Sequence, residues 1–168
     1  IGILGAGMMG AGIAYVSAMS GIEVILLDST QASADKGKAY SENLLNKRIA
    51  RGKTSKDKAA KTLGLITATT DYNDLKGCEM VIEAVFEDRA VKADVTAKAE
   101  AVLSEDVIFA SNTSTLPITG LAEASQRPAQ FIGLHFFSPV DKMPLVEIIM
   151  GEQTSQHSLA WALDYVQQ

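Results

Sequence analysis

"IGILGAGMMGAGIAY", Ile1 to Tyr15, joins a short apolar run to three spaced glycines and then to a segment rich in Ala and Gly. Ile1 to Leu4 has the length and composition of a buried strand, and the glycines end it. Met8 to Met19 reads as a helix. Gly5, Gly7 and Gly10 fit the spacing G-x-G-x-x-G. Alone, that spacing is a weak signal. Between a strand and a helix it has a mechanism. Gly5 allows the tight turn, Gly7 lets a pyrophosphate approach the backbone, and Gly10 lets helix and strand pack closely. The unpaired N–H groups and the dipole at the helix start then favour an anion. Met8 and Met9 lie in the same loop. The competing reading is a glycine-rich packing turn that binds nothing.

The next strand, Glu23 to Leu27, ends at Asp28, which lies 18 residues after Gly10. An acid at that place would accept the hydroxyls of an adenosine ribose. Ser29, Thr30 and Gln31 follow, with no Arg or Lys to meet a 2′-phosphate. Loop, context and acid together predict NAD, in preference to NADP.

The remaining elements alternate. Helices are expected over Ser33–Arg51 and Ser55–Leu63, and strands over Leu65–Thr69 and Glu79–Val85. A helix over Asp88–Leu103 and a strand over Val107–Ala110 follow, then a short helix over Ile118–Ala124. Phe131–His135 and Leu145–Ile149 read as strands, and Ser155–Val166 as a last helix. This order predicts an α/β fold of the Rossmann type: a doubly wound, mostly parallel sheet with helices on both faces. Lys47 to Lys61 is basic and polar, and is expected to form a helical hairpin projecting from the sheet.

The chain has 168 residues, enough for one domain with a core, and 47% of them are hydrophobic. Its 15 basic and 20 acidic residues give a net charge of -5, so the basic face that nucleic acid needs is absent. No apolar run approaches the roughly 18 residues of a membrane span. The single cysteine, Cys78, allows no internal disulfide and fits a reducing compartment. Cys78 reads as a small buried hydrophobe and His157 as exposed on the last helix. No metal site is expected. Ile1 already lies inside a strand-like run, and Gln168 follows an amphipathic run with no stop signal. Residues 1–168 are therefore expected to be one domain of a longer protein.

The chemistry concentrates in "GLHFFSPVDKMPLVEII", Gly133 to Ile149. His135 sits in one apolar run and Glu147 in the next, twelve residues on, across a turn containing Pro139. An unpaired ionisable group in a core is costly. Adjacent strands joined by that turn would bring the two side chains together. The spacing equally allows a core histidine satisfied by a carbonyl and a Glu at a strand edge. Two other polar features fall at expected strand ends, Glu83 to Glu87 and Ser111 to Ser114.

The stretches "GAGMMGAGIAY", "VIEAVFED", "FASNTSTLPI", "GLHFFSPV" and "MPLVEII" carry a resemblance that spans most of the chain. The sequence resembles the NAD-binding domain of 3-hydroxyacyl-CoA dehydrogenases, most of all that of the bacterial multifunctional fatty-acid oxidation α-subunit. The resemblance implies that His135 is the catalytic base and Glu147 its carboxylate partner. It places Ser114 and Asn112 near the substrate hydroxyl and the nicotinamide. Gly5, Gly7, Met8, Met9, Gly10 and Asp28 match the cofactor loop and ribose acid. Val85, Glu87 and Lys92 match cofactor-side positions after the fourth strand. Ser138 departs from the family's more frequent Asn, and the cofactor contact expected there would have to come from its hydroxyl.

The implied reaction is oxidation of an L-3-hydroxyacyl-CoA to the 3-ketoacyl-CoA in fatty-acid β-oxidation, with NAD as acceptor. The implied partners are an acyl-CoA thioester, a helical C-terminal dehydrogenase domain and a preceding hydratase region, and a homodimer is compatible. The basic residues Lys47, Arg48, Arg51, Lys53 and Lys56 would approach the CoA phosphates or simply form a solvated face. A bacterial cytoplasmic enzyme is expected. Two alternatives stay open: a dinucleotide-binding module without catalysis, and a dehydrogenase of free 3-hydroxy acids.

Overall fold

The computed structural model describes all residues, 1–168. Seven strands form one sheet: β1 (Gly2–Leu4), β2 (Val24–Leu27), β3 (Ile66–Thr69), β4 (Met80–Glu83), β5 (Ile108–Ser111), β6 (Phe131–Phe136) and β7 (Val146–Met150). Their order is β3-β2-β1-β4-β5-β6-β7. The first six pair in parallel, and β7 runs antiparallel to β6. This is a Rossmann-type fold. Strand order reverses between β1 and β4, so a crevice opens there beyond the carboxyl ends of the strands.

The helices are α1 (Met8–Met19), α2 (Gln31–Ala50), α3 (Lys56–Gly64), α4 (Arg89–Glu100), α5 (Ile118–Ala122) and α6 (Gln156–Val166). The strands alternate their side chains between two apolar layers, as a period of two requires. Ile3, Leu26, Ile82, Ile108 and Ile132 pack with α1 and α6 on one face. Leu4, Leu27, Val81, Phe109 and Phe131 pack with α4 and α5 on the other. Every central strand is buried on both sides, which explains the continuous apolar runs.

Capping residues set the helix boundaries. Ser55, Asp88 and Ser155 each accept an N–H three residues on, so α3, α4 and α6 start one residue after the expected position. Thr30 caps α2 and starts it at Gln31, ahead of the expected Ser33. β4 is shorter than expected because the Val85 N–H leaves the ladder for the Glu83 carboxylate, at 3.3 Å. α4 stops at Glu100, short of Leu103. The Arg127 guanidinium takes the carbonyls of Glu100, Leu103 and Ser104 there and satisfies the helix end.

The α2–α3 hairpin corrects one expectation. It does not simply project. Leu45 and Ala59 bury against Tyr15 of α1, so the hairpin's base is docked. Arg48 is half-buried with its Nε enclosed, and leaves Lys47, Arg51, Lys53 and Lys56 as the exposed basic tip. Cys78 is half-buried against the second apolar layer, where burial pushes its thiol up from the ordinary value. His157 is exposed on α6, and no helix is long and apolar enough to cross a membrane.

Candidate active site

The crevice between β1 and β4 is a cleft of about 700 Å³. Gly5, Gly7, Met8 and Met9 form one rim, Asp28 and Ser29 one end, and Ala84, Val85 and Phe86 the opposite rim. Two glycines are required by contact. A Cβ on Gly10 would lie 1.8 Å from the Gly5 carbonyl oxygen, and Gly5 adopts φ +92° beside the Ala84 carbonyl. A Cβ on Gly7 would meet nothing within 4 Å, so this residue is small toward the open cleft. Gly7 caps α1 without a side chain, and no acidic residue occupies the first turn. The N–H groups there face an anion unopposed. The pyrophosphate of a dinucleotide would fit this donor set.

Asp28 is half-buried and already holds bonds within the chain. One oxygen accepts the Ala6 N–H at 2.7 Å. The other accepts the Ser29 N–H at 2.7 Å and its hydroxyl at 3.1 Å. The acid therefore braces the glycine loop against the end of β2 and still has lone-pair capacity for a hydroxyl. On α4, Asp94 and Lys98 line the same end of the cleft and pair at 2.6 Å.

At the other end, β4, β5 and β6 deliver polar groups to the same edge. Glu83 is fully buried, and Lys92 is 3% exposed. Lys92 Nζ donates to both Glu83 oxygens at 2.8 and 2.9 Å and lies 3.2 Å from Glu87 Oε2. Ser111 also donates to Glu83. Glu87 Oε1 accepts from the Thr113 hydroxyl, from the Ser114 and Thr115 N–H groups at 3.1 and 3.3 Å, and from the Thr115 hydroxyl at 3.2 Å. Burial pushes the Glu83 carboxyl up, with Lys92 and Ser111 pulling against it. Burial would raise Glu87 too, but the Thr113 hydroxyl and the Lys92 charge hold it down to about 2.

Lys92, expected on the cofactor side, is reached by the cleft only through Glu87. Its ammonium is enclosed between two carboxylates and fixes the Ser111–Thr115 loop. Glu83, Ser111 and Thr113 were missed as members of this network. The signal was a charged residue inside the apolar run "MVIEAV", which demands a partner.

The loop so fixed leaves the Ser114 hydroxyl without a partner in the chain. Asn112 Oδ1 accepts the Phe136 N–H at 2.9 Å, so its amide nitrogen is free to donate. That bond also ties the loop to the end of β6. There, His135 stands opposite Glu147 in the β6–β7 register. His135 Nδ1 lies 2.9 Å from Glu147 Oε2, with the side chains 18% and 53% exposed. Phe137 packs on the imidazole at 4.5 Å between ring centres. Nε2, on the other edge of the ring, has no partner in the chain. Ser138 lies beside the cleft, its hydroxyl 3.6 Å from Met8 Sδ.

The sequence model of the 3-hydroxyacyl-CoA dehydrogenase NAD-binding domain matches residues 1–168. The chain belongs to this family. Its relatives of known structure share the fold closely. The (S)-3-hydroxybutyryl-CoA dehydrogenase PaaH1 of Ralstonia eutropha is 40% identical with TM-score 0.95, over 99% of this chain and 59% of that one. The 3-hydroxybutyryl-CoA dehydrogenase of Escherichia coli K12 is 32% identical with TM-score 0.94, over 99% of this chain and 35% of that one. An NAD+-dependent dismutase, 5-formyl-3-hydroxy-2-methylpyridine 4-carboxylic acid 5-dehydrogenase, is 30% identical with TM-score 0.86, over 99% and 53%. The chain thus spans about three-fifths or less of the length of these relatives. As a member of the family it is an NAD-binding domain of an oxidoreductase.

Proposed function

We propose that this domain supplies the cofactor site and the catalytic base for oxidation of an L-3-hydroxyacyl-CoA to the 3-ketoacyl-CoA, as in β-oxidation of fatty acids. The observation that carries the reading is the His135–Glu147 pair, 2.9 Å apart at the strand edge that also presents Ser114 and Asn112. NAD bound in the cleft would supply the hydride acceptor.

The chain's own residues manage the proton. A secondary alcohol releases hydride readily only as its O–H proton departs. His135 Nε2, the ring nitrogen without a partner in the chain, takes that proton as general base. Glu147 holds the proton on Nδ1, which leaves Nε2 as the acceptor, and its charge stabilises the imidazolium that forms. The Ser114 hydroxyl and the Asn112 amide hold the substrate oxygen. Glu87 and Lys92 keep that loop in place without touching the reacting atoms.

The exposed basic tip, Lys47, Arg51, Lys53 and Lys56, suits the CoA phosphates. Helical and hydratase regions of a longer parent chain would complete the enzyme. The relative that acts on a pyridine carboxylic acid supports a second reading, in which the substrate is a free acid and not a CoA thioester. The full-length protein assayed with 3-hydroxybutyryl-CoA and with free 3-hydroxybutyrate separates the two. Turnover of the thioester at least about tenfold faster in kcat/KM is expected. Preference for the free acid would refute the CoA assignment.

A further inference from the structure

Eight large apolar side chains of this protein are exposed, and three of them, Met8, Phe86 and Val91, line the cofactor cleft. Phe86 is the extreme case, at 86% exposed. Its position follows from its neighbours. Ala84 already packs into one apolar layer and Val85 into the other, so the end of β4 offers Phe86 no core. The backbone on either side is pinned. The Ala84 N–H bonds Leu4 at 2.7 Å, the Asp88 N–H bonds the Phe86 carbonyl at 2.7 Å, and the Glu87 carboxylate is held by its own donors and Lys92. The phenyl ring is thereby carried at the cleft on a hydrogen-bonded turn. β1 is the neighbour of β4, and its loop brings Met8, 68% exposed, to the facing rim.

We propose that Phe86 is a positioning residue for the dinucleotide, its ring closing with Met8 over the bound cofactor and slowing its release. This rests on the reading that the cleft holds NAD(H). An aromatic ring buries on the order of 150–250 Å² when covered, so an exposed one over an apolar-walled cleft favours whatever fills that cleft. The glycine loop and Asp28 on the same cleft select a dinucleotide over an apolar partner. Most affinity differences of this kind lie in the dissociation rate.

The test uses NADH fluorescence titration and stopped-flow displacement on the purified chain and its Phe86→Ala and Phe86→Leu variants. Leu163→Ala, on exposed α6, serves as control. Phe86→Ala should weaken NADH binding at least fivefold, mainly through faster release, with Phe86→Leu in between and the control unchanged. Its melting temperature should match wild type, because the ring contributes nothing to the core. A change below fivefold in Phe86→Ala, with wild type binding normally, overturns the proposal and leaves the cofactor reading intact. Loss of self-association in Phe86→Ala with unchanged NADH affinity also overturns it, because a second copy would then be the occupant. Failure of the wild-type chain to bind NADH would overturn both readings together.

Discussion

Two carboxylate–nitrogen arrangements stand at the same edge of the sheet and differ in almost every physical respect. Glu83, Lys92 and Glu87 form a chain whose inner pair is 1% and 3% exposed. His135 and Glu147 form a single contact, 18% and 53% exposed. The buried pair is saturated: Lys92 is enclosed by carboxylates, and Ser111 and Val85 add donors to Glu83. It has no capacity left for a ligand and serves as a rivet between β4, β5 and α4. The open pair has one free nitrogen and a carboxylate in contact with water. Under the proposed function, fixed charge is buried and fully bonded, whereas the group that would take up charge during the reaction is kept half-wet with one ring nitrogen unpaired.

The largest effect expected from this contrast is in the rivet. Lys92→Met would leave Glu83 buried without its cation, a change that typically costs about 3–5 kcal/mol. Denaturant unfolding should show that loss, while the double variant Glu83→Leu/Lys92→Met regains most of it. A single variant within about 1 kcal/mol of wild type would mean the pair is not a rivet. The corresponding change in the open pair, Glu147→Gln, should leave stability within about 0.5 kcal/mol, as for most exposed positions.

At the cofactor end, Asp28 faces no cation on its own loop, and the nearest basic group lining the cleft, Lys98, is already bound to Asp94. NAD should therefore bind about tenfold or more tightly than NADP, or roughly 1.4 kcal/mol. Equal affinities in calorimetry would show that Lys98 releases Asp94 to receive a 2′-phosphate.

The smallest effect concerns pH. Glu87 is held down to about 2 in the fold, against an ordinary value of 4.5. A depressed carboxyl stabilises the fold above pH 4.5, and this contribution is lost as pH falls toward 2. Because the side chain is 38% exposed, solvent screening reduces the effect to about 1 kcal/mol. Wild type should lose stability relative to Glu87→Gln across that window. Parallel curves would remove Glu87 from the account.

The glycine loop, Asp28 and the β6–β7 pairing were legible in the sequence because each is local: a turn, a strand end, two strands joined by one turn. The register His135↔Glu147 follows once both runs are strands. What could not be read depends on how elements fold back on one another. Lys92 is only 9 residues from Glu83, but the two meet because α4 turns back along β4 after Asp88, and the resemblance had placed Lys92 on the cofactor side. The docked base of the α2–α3 hairpin depends on Tyr15, more than 25 residues away from Leu45 and Ala59. Phe86 gave no signal, because an aromatic residue after a strand is ordinarily taken for core.

The account's central claim is that the cofactor cleft and the catalytic base are separate parts of one edge. The most direct measurement is kcat and NADH affinity, side by side, for His135→Gln in the full-length protein. The expected result is a fall in kcat of roughly 100-fold or more, with the NADH dissociation constant within about twofold of wild type. Near wild-type turnover would contradict the assignment of His135 as base, and a parallel loss of NADH binding would contradict the separation of the two sites.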